Sequence, residues 1–285
     1  MKYRYFSLIV LLYLPFTSAE NISVESSGAE KVSAEKSVRL IIPGPTAPFK
    51  VGNLFIEQLL DIIFLKQNLT LDLVYEKEHI TQGRALKELN NDAVIDLTWS
   101  VTTSAREQSL TPIRIPLYQG LIGWRVFIIN KHQQEKFDEI NNLAALGEML
   151  AIQRFDWPDY QVFIENNLNV DGNLAFSQMY KAIENGLADY FPRSVLEVTR
   201  ELKSINSNKL AIEKSVLLKY PSSYYFFVGK QNPELAQTIK KGFELALADG
   251  SYQRLFQQHF GKTLAALKLD DRKVLHLSSS LLSGQ

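Results

Sequence analysis

The chain of 285 residues predicts an α/β protein of two successive units, each a mainly parallel sheet flanked by helices. Three observations predict it. Short apolar or alternating runs and helical stripes follow one another in β–α–β–α–β order between Val38 and Leu97, the pattern of a parallel sheet covered by helices. The same alternation resumes at Gly123 and continues to Leu218. There is no cysteine, so stability rests on core burial, and the length suffices for two domains of ordinary size.

Val38–Ile42 is an apolar strand stopped by Pro43-Gly44-Pro45. Leu54–Leu65 sets Leu54, Ile56, Leu59, Leu60, Ile63 and Phe64 on a helical stripe. Leu69–Tyr75 alternates as a strand, Thr81–Leu89 reads as a short helix, Asn90-Asn91-Asp92 as a turn, and Ala93–Leu97 as the third strand. Gly123–Asn130 is again a strand, Leu143–Met149 a helix and Leu150–Gln153 a strand. Asp156 suits the cap of a helix Pro158–Asn166, with proline in the first turn, where a missing N–H costs nothing. Ser177–Asn185 is a helix ended by Gly186, Ala188–Phe191 a strand, Arg193–Leu202 a helix and Ala211–Leu218 a strand. One unit thus runs from Ser37 to Gln119 and the next from Gly120 to Tyr220.

The amino terminus carries Lys2 and Arg4, then the apolar run Tyr5–Phe16, then Thr17-Ser18-Ala19. A basic start, a short apolar core and small residues mark a secretory signal cleaved after Ala19. An uncleaved anchor is the alternative, but the run is about 12 residues and a spanning helix needs about 20. Glu20–Lys36, rich in Ser, Glu, Ala and Lys, reads as a flexible leader. No other stretch is apolar enough to span a membrane. A cysteine-free exported protein fits a bacterial periplasm. Without Lys2 and Arg4 the chain has 29 basic and 31 acidic residues. No basic patch or aromatic–basic interleaving appears, which argues against nucleic acid as a partner.

The closing segment is the most specific. Tyr224–Val228 is an aromatic and β-branched strand. Asn232 and Pro233 open a helix whose face is Leu235, Ile239, Phe243 and Ala246. Gly250 can take the left-handed position that ends it, Ser251 can cap a short second helix, and His259-Phe260-Gly261 follows. This ending resembles that of family 3 extracytoplasmic solute-binding proteins, the polar amino-acid type. The Trp157-Pro158-Asp159 and Tyr190-Phe191-Pro192-Arg193 pieces are similar to a proteobacterial branch of that superfamily. The resemblance covers Val38–Gly261. It implies a two-lobed periplasmic binding protein type 2 fold in which the closing segment returns to the first lobe. Residues 37–119 with 221–285 then form lobe 1 and 120–220 lobe 2, with a hinge at Gln119–Gly123 and Tyr220–Ser223. Val274–Leu277 adds a small strand or packs on the surface.

The resemblance also implies site residues. Asp96–Glu107 followed by Ile115-Pro116-Leu117-Tyr118 looks like the family's stretch where an Arg clamps a bound carboxylate, a task suited to the planar guanidinium fork. Arg106 falls on that position, and Thr103 sits at the cap of its helix. Arg106 is otherwise a surface partner of Glu107 or Asp96. Trp99 and Ser100 replace the family's small strand end; the indole either stacks on a flat ligand or packs between sheet and helix. In lobe 2, Ile152–Asp159 occupies the place of the family's Gly–Ser/Thr turn, and Trp157 faces either the cleft or the core. The place of the family's ammonium-binding Asp holds Ser194, preceded by Arg193, which otherwise bridges to Glu197. An amino-acid zwitterion would meet two arginines and no obvious acid, so a ligand with two acidic groups, or an acid lacking the amine, suits Arg106 and Arg193 better.

The expected function is a monomeric periplasmic solute-binding protein closing on a small carboxylate-bearing solute, with an ABC permease or a membrane sensor as partner. No cofactor is expected. The four histidines, His79, His132, His259 and His276, have no ligand spacing and point to no metal. The enzyme alternative is a cyclohexadienyl-dehydratase-like activity on the same fold, with Asp156 or His79 as acid.

Overall fold

A computed structural model describes residues 36–44, 53–76, 80–90 and 94–281. The signal, the expected leader up to residue 35, His79 and the turn at 91–92 lie outside them; Lys36, expected at the end of the leader, opens the first strand. β1 (Lys36–Ile42) pairs in parallel with β2 (Leu69–Tyr75) along its whole length, joined through α1 (Leu54–Leu65). α1 buries Phe55, Ile56, Leu59, Leu60, Ile63 and Phe64, the positions that share one face at helical spacing. α2 (Gln82–Glu88) is capped by the Thr81 side chain. The third strand, β3 (Thr98–Val101), starts where the expected one ends. The reason is Asp96. Its carboxylate accepts the Ile41 N–H at 2.7 Å, while its own N–H donates to the Ile41 carbonyl at 2.8 Å. Those bonds fasten the preceding residues to β1 without a ladder.

After α3 (Ser104–Ser109) and β4 (Thr111–Ile113) the chain crosses to the second unit. That unit comprises β5 (Trp124–Asn130), α4 (Gln134–Asp138), α5 (Leu143–Gly147), β6 (Ala151–Ile152), α6 (Pro158–Glu165), β7 (Val170–Asp171), α7 (Phe176–Glu184), β8 (Tyr190–Ser194), α8 (Val198–Ile205), β9 (Leu210–Ile212) and β10 (Val216–Lys219). The chain then crosses back. β11 (Tyr224–Val228) inserts between β3 and β4, antiparallel to both. α9 (Pro233–Ala248) and α10 (Ser251–Phe256) pack on α1. A π-helical turn, Gln257–Gly261, leads to α11 (Lys262–Ala266) and β12 (Lys273–His276). The strand order of the second sheet is β12-β10-β5-β8-β6-β7, with β9 also on β5.

Strands of the β–α–β repeats run parallel: β1 with β2, and β6 with β7 and β8. Every antiparallel pair among the described residues involves β5 or β11, the first strand after each crossing. The fold is therefore the expected two-lobed α/β type. The last strand departs from the expected division. β12 follows helices packed on the first unit, yet pairs in parallel with β10 of the second.

Three local expectations change for electrostatic or steric reasons. Arg193 and Ser194 finish β8 rather than start a helix, which begins only at Val198. The expected strand 211–218 breaks into β9 and β10 at Glu213, whose buried carboxylate accepts the N–H groups of Ser215 and Val216. Asp156 caps nothing; it pairs side-on with Arg154 at 2.7 Å through both oxygens, and Trp157 precedes α6.

The two crossings touch. Tyr220 N–H donates to the Gly123 carbonyl at 3.1 Å. A Cβ on Gly123 would lie 2.1 Å from the Tyr220 carbonyl oxygen, so only glycine lets these segments approach. Gln119 and Gly120 both have positive φ, 53° and 77°, which turns the first crossing sharply.

A cavity between an aromatic and an ionic wall

A cavity of about 400 Å³ is lined from both units, within the range that holds small solutes. The first unit contributes an aromatic wall of Phe55, Trp99, Tyr118, Tyr224 and Phe260, with the polar groups of Asn53, Gln82, Thr98, His259 and Thr263. The rings brace one another: Phe55 is 5.4 Å from Tyr118 and 5.0 Å from Phe260, and Tyr118 is 5.4 Å from Tyr224. The π-helical turn brings His259 and Phe260 to this wall; such turns recur at functional sites. His259 Nε2 lies 2.6 Å from the Gln58 amide oxygen, and burial lowers its pKa. Burial also pushes the Tyr118 and Tyr224 hydroxyls well above their ordinary range, so both remain neutral donors.

The second unit contributes an ionic wall: Arg193 at the end of β8, then Glu197, Arg200 and Glu201. The last three fall at i, i+3 and i+4, one face of the helix start. Glu201 grips Arg193 with both oxygens, at 2.6 Å from Nε and 2.5 Å from Nη2, and Glu197 lies 3.1 Å from Nη2. Tyr180 donates to Glu201 at 2.9 Å. Trp157, Phe176 and Phe191 surround the guanidinium, with ring centres 5.2, 5.7 and 5.0 Å away. Burial opposes charge on Arg193, but Glu201 and Glu197 outweigh it and hold the guanidinium protonated. Arg200 is different: its Nε is buried with no hydrogen-bond partner among the described residues.

Of the residues expected from sequence, the cavity brings together Trp99 and Arg193. The others are held elsewhere. Arg106 donates to Ser100 Oγ at 2.7 Å and to the Val101 carbonyl, and Thr103 Oγ1 accepts the Arg106 N–H at 3.3 Å as the cap of α3. Ser100 is fully buried. Trp157 stacks on Phe191 at 6.4 Å and 16°, behind Arg193. Ser194 is buried and accepts the Leu196 N–H at 3.3 Å. The expectation of a site without a counter-acid is overturned, because Glu197 and Glu201 line the same cavity as Arg193. Asp156, the enzyme candidate, is exposed, off the cavity wall and held below the ordinary carboxylate range by Arg154. Glu197, Arg200, Tyr118 and Phe260 line the cavity but were not among the ligand contacts expected from sequence. The Glu-x-x-Arg-Glu spacing just after Arg193 was the available signal.

Near the crossings a second buried ionic group lies within the second unit. Arg125 donates to Asp159 at 2.6 Å and to the Tyr220 hydroxyl at 2.8 Å, and Tyr220 donates to Asp159. Asp159 outweighs burial and keeps Arg125 charged.

No protein-family profile and no curated protein matches the chain. Solved structures do match in fold, and that fold is the two-lobed periplasmic binding protein. An arginine-specific periplasmic binding protein of Salmonella typhimurium is 15% identical, with a TM-score of 0.58, over 79% of this chain and 99% of its own. The periplasmic VFT2 domain of Bordetella pertussis BvgS is 14% identical, with a TM-score of 0.59, over 79% and 94%. The Nostoc punctiforme GluR0 ligand-binding core, solved with L-glutamate, is 17% identical, with a TM-score of 0.53, over 79% and 97%. Among the described residues no helix is long and apolar enough to cross a membrane.

Proposed function

We propose that this protein is a family 3-type periplasmic solute-binding protein that encloses a small zwitterionic solute with an apolar or aromatic body. One observation carries the reading: a cavity of about 400 Å³ whose aromatic wall comes from one unit and whose ionic wall comes from the other. Arg200, whose buried Nε has no hydrogen-bond partner among the described residues, receives the solute's carboxylate. Glu197, already oriented by Arg193 at 3.1 Å, receives its ammonium. The rings of Tyr118, Tyr224, Phe55 and Trp99 cover its body. Closure and opening turn about 119–123 and 220–223, and the loaded form delivers its solute to an ABC permease. The likeness to the BvgS VFT2 domain supports a second reading, in which the same closure signals to a membrane sensor.

Thermal shift over a set of amino acids, deaminated acids and amines tests the proposal. Zwitterions are expected to raise the melting temperature, and each of Arg200→Gln and Glu197→Gln to weaken binding by about tenfold, the equivalent of ~1.4 kcal/mol. Arg106→Gln is expected to change affinity less than about twofold. Loss of binding in Arg106→Gln with Arg200→Gln unaffected would return the anion site to the first unit. Indifference to every charged solute would dispose of the proposal.

A further inference from the structure

We infer that the carboxyl-terminal segment 267–281 is a strap, a third tie between the two units that limits how far they separate. The chain passes between units at 119–123 and at 220–223, where Gly123 and Tyr220 are in contact. It passes a third time after α11. The root of the strap belongs to the first unit: Phe256 and Phe260 pack on Phe55, with ring centres 6.1 and 5.0 Å away. Its far end belongs to the second unit. β12 runs in register with β10 from Val216↔Lys273 to Lys219↔His276, the last pair lying one residue from the hinge residue Tyr220.

The far end is firmly fastened. Arg272 is buried and donates to the Val216 carbonyl at 3.1 Å and to Glu213 at 3.4 Å. Lys273 Nζ donates to the Ile140 carbonyl at 2.9 Å. Asn166 and Ser278 bond reciprocally at 2.8 and 2.9 Å. Leu275, Leu277 and Leu281 join the second unit's core with Phe127, Phe163 and Tyr190. Between root and fastening there is little slack. Lys268 donates to Ala265 at 3.3 Å, Asp271 to Lys268 at 3.2 Å, and the Arg272 side chain to Leu267 at 3.0 Å, so the connection is wound rather than extended.

A two-crossing hinge bends about one line. A third, wound connection resists rotation about that line until its turns break, so separation stops early. The strap's root also carries His259, Phe260 and Thr263, which line the cavity.

The test adds slack without removing the strap. The chain has no native cysteine, so Lys87→Cys on α2 and Lys203→Cys on α8, both exposed, accept spin labels for pulsed electron double resonance. Inserting six Gly/Ser residues between Lys268 and Leu269 provides up to about 20 Å of reach. The ligand-free label distance is expected to lengthen by more than about 2 Å, or to broaden toward longer values. Hydrogen exchange reports whether β12 stays paired, and circular dichroism whether the fold persists. An unchanged distance distribution in a folded protein overturns the inference, whether β12 stays protected or comes away. Rapid exchange of the β12 amides in the uninserted protein overturns it too. None of these readings needs a solute, so they stand apart from the binding proposal.

Discussion

Replacing Glu201 by leucine strips the Arg193 guanidinium of its bidentate partner while leaving it 7% exposed. Breaking a buried ion pair by removing one member costs about 3–5 kcal/mol. Glu197, 3.1 Å away, compensates in part, and the Tyr180 hydroxyl loses an acceptor, which places the expected loss near 3 kcal/mol. At 2–4 °C per kcal/mol for a chain of this size, the melting temperature should fall by about 6–12 °C. Combining Glu201→Leu with Arg193→Leu removes both charges among the rings of Trp157, Phe176 and Phe191. The double variant should then return to within about 1 kcal/mol of wild type, since apolar replacement of a buried pair is often neutral. Melts followed by circular dichroism at pH 7 measure both. Acid gives an independent check. Burial raises the Glu201 pKa, but Arg193 outweighs it and the net shift is downward. A depressed folded-state pKa contributes stability that is present above the unfolded value, about 4.3, and is lost as the pH falls through the folded one. Wild type and Glu201→Leu should therefore converge in stability below about pH 4. A single variant costing under about 1 kcal/mol, or curves that stay parallel in acid, would refute the picture of Arg193 as an internally neutralised cation.

Gly123→Ala should destabilise by about 1–3 kcal/mol in chemical denaturation, because its Cβ meets the Tyr220 carbonyl at 2.1 Å; a neutral result would mean the crossings separate freely. Solute binding should change tryptophan fluorescence through Trp99, which lines the cavity. Trp99→Phe should abolish that change and Trp157→Phe preserve it. Tyr252→Phe should cost about 1 kcal/mol, since its hydroxyl donates to the Leu117 carbonyl at 3.0 Å in the core; denaturant midpoints measure it.

The sequence by itself determined the element order. Periodicity is local, so α1 and the closing α9 declared themselves through residues three and four positions apart, and α6 through the proline in its first turn. Gly186 and Gly250 take the left-handed φ of 70° and 75° expected of helix ends, because that requirement is written into a single residue. The resemblance carried by 224–261 supplied the return of the chain, which pairing of β11 with β3 and β4 displays. Tertiary structure alone decided where charge resides. Arg106 and Arg193 carry equal charge in the sequence. One is turned onto Ser100 and Val101, the other locked by a glutamate eight residues on. Whether a guanidinium is available to a solute depends on which carboxylates folding brings within about 3 Å; the i, i+4 spacing names Glu197 for Arg193, but only the fold brings Glu201 onto it. The same holds for β12, whose four residues join a sheet built some sixty positions earlier, because strand pairing follows from where the helices before it come to rest.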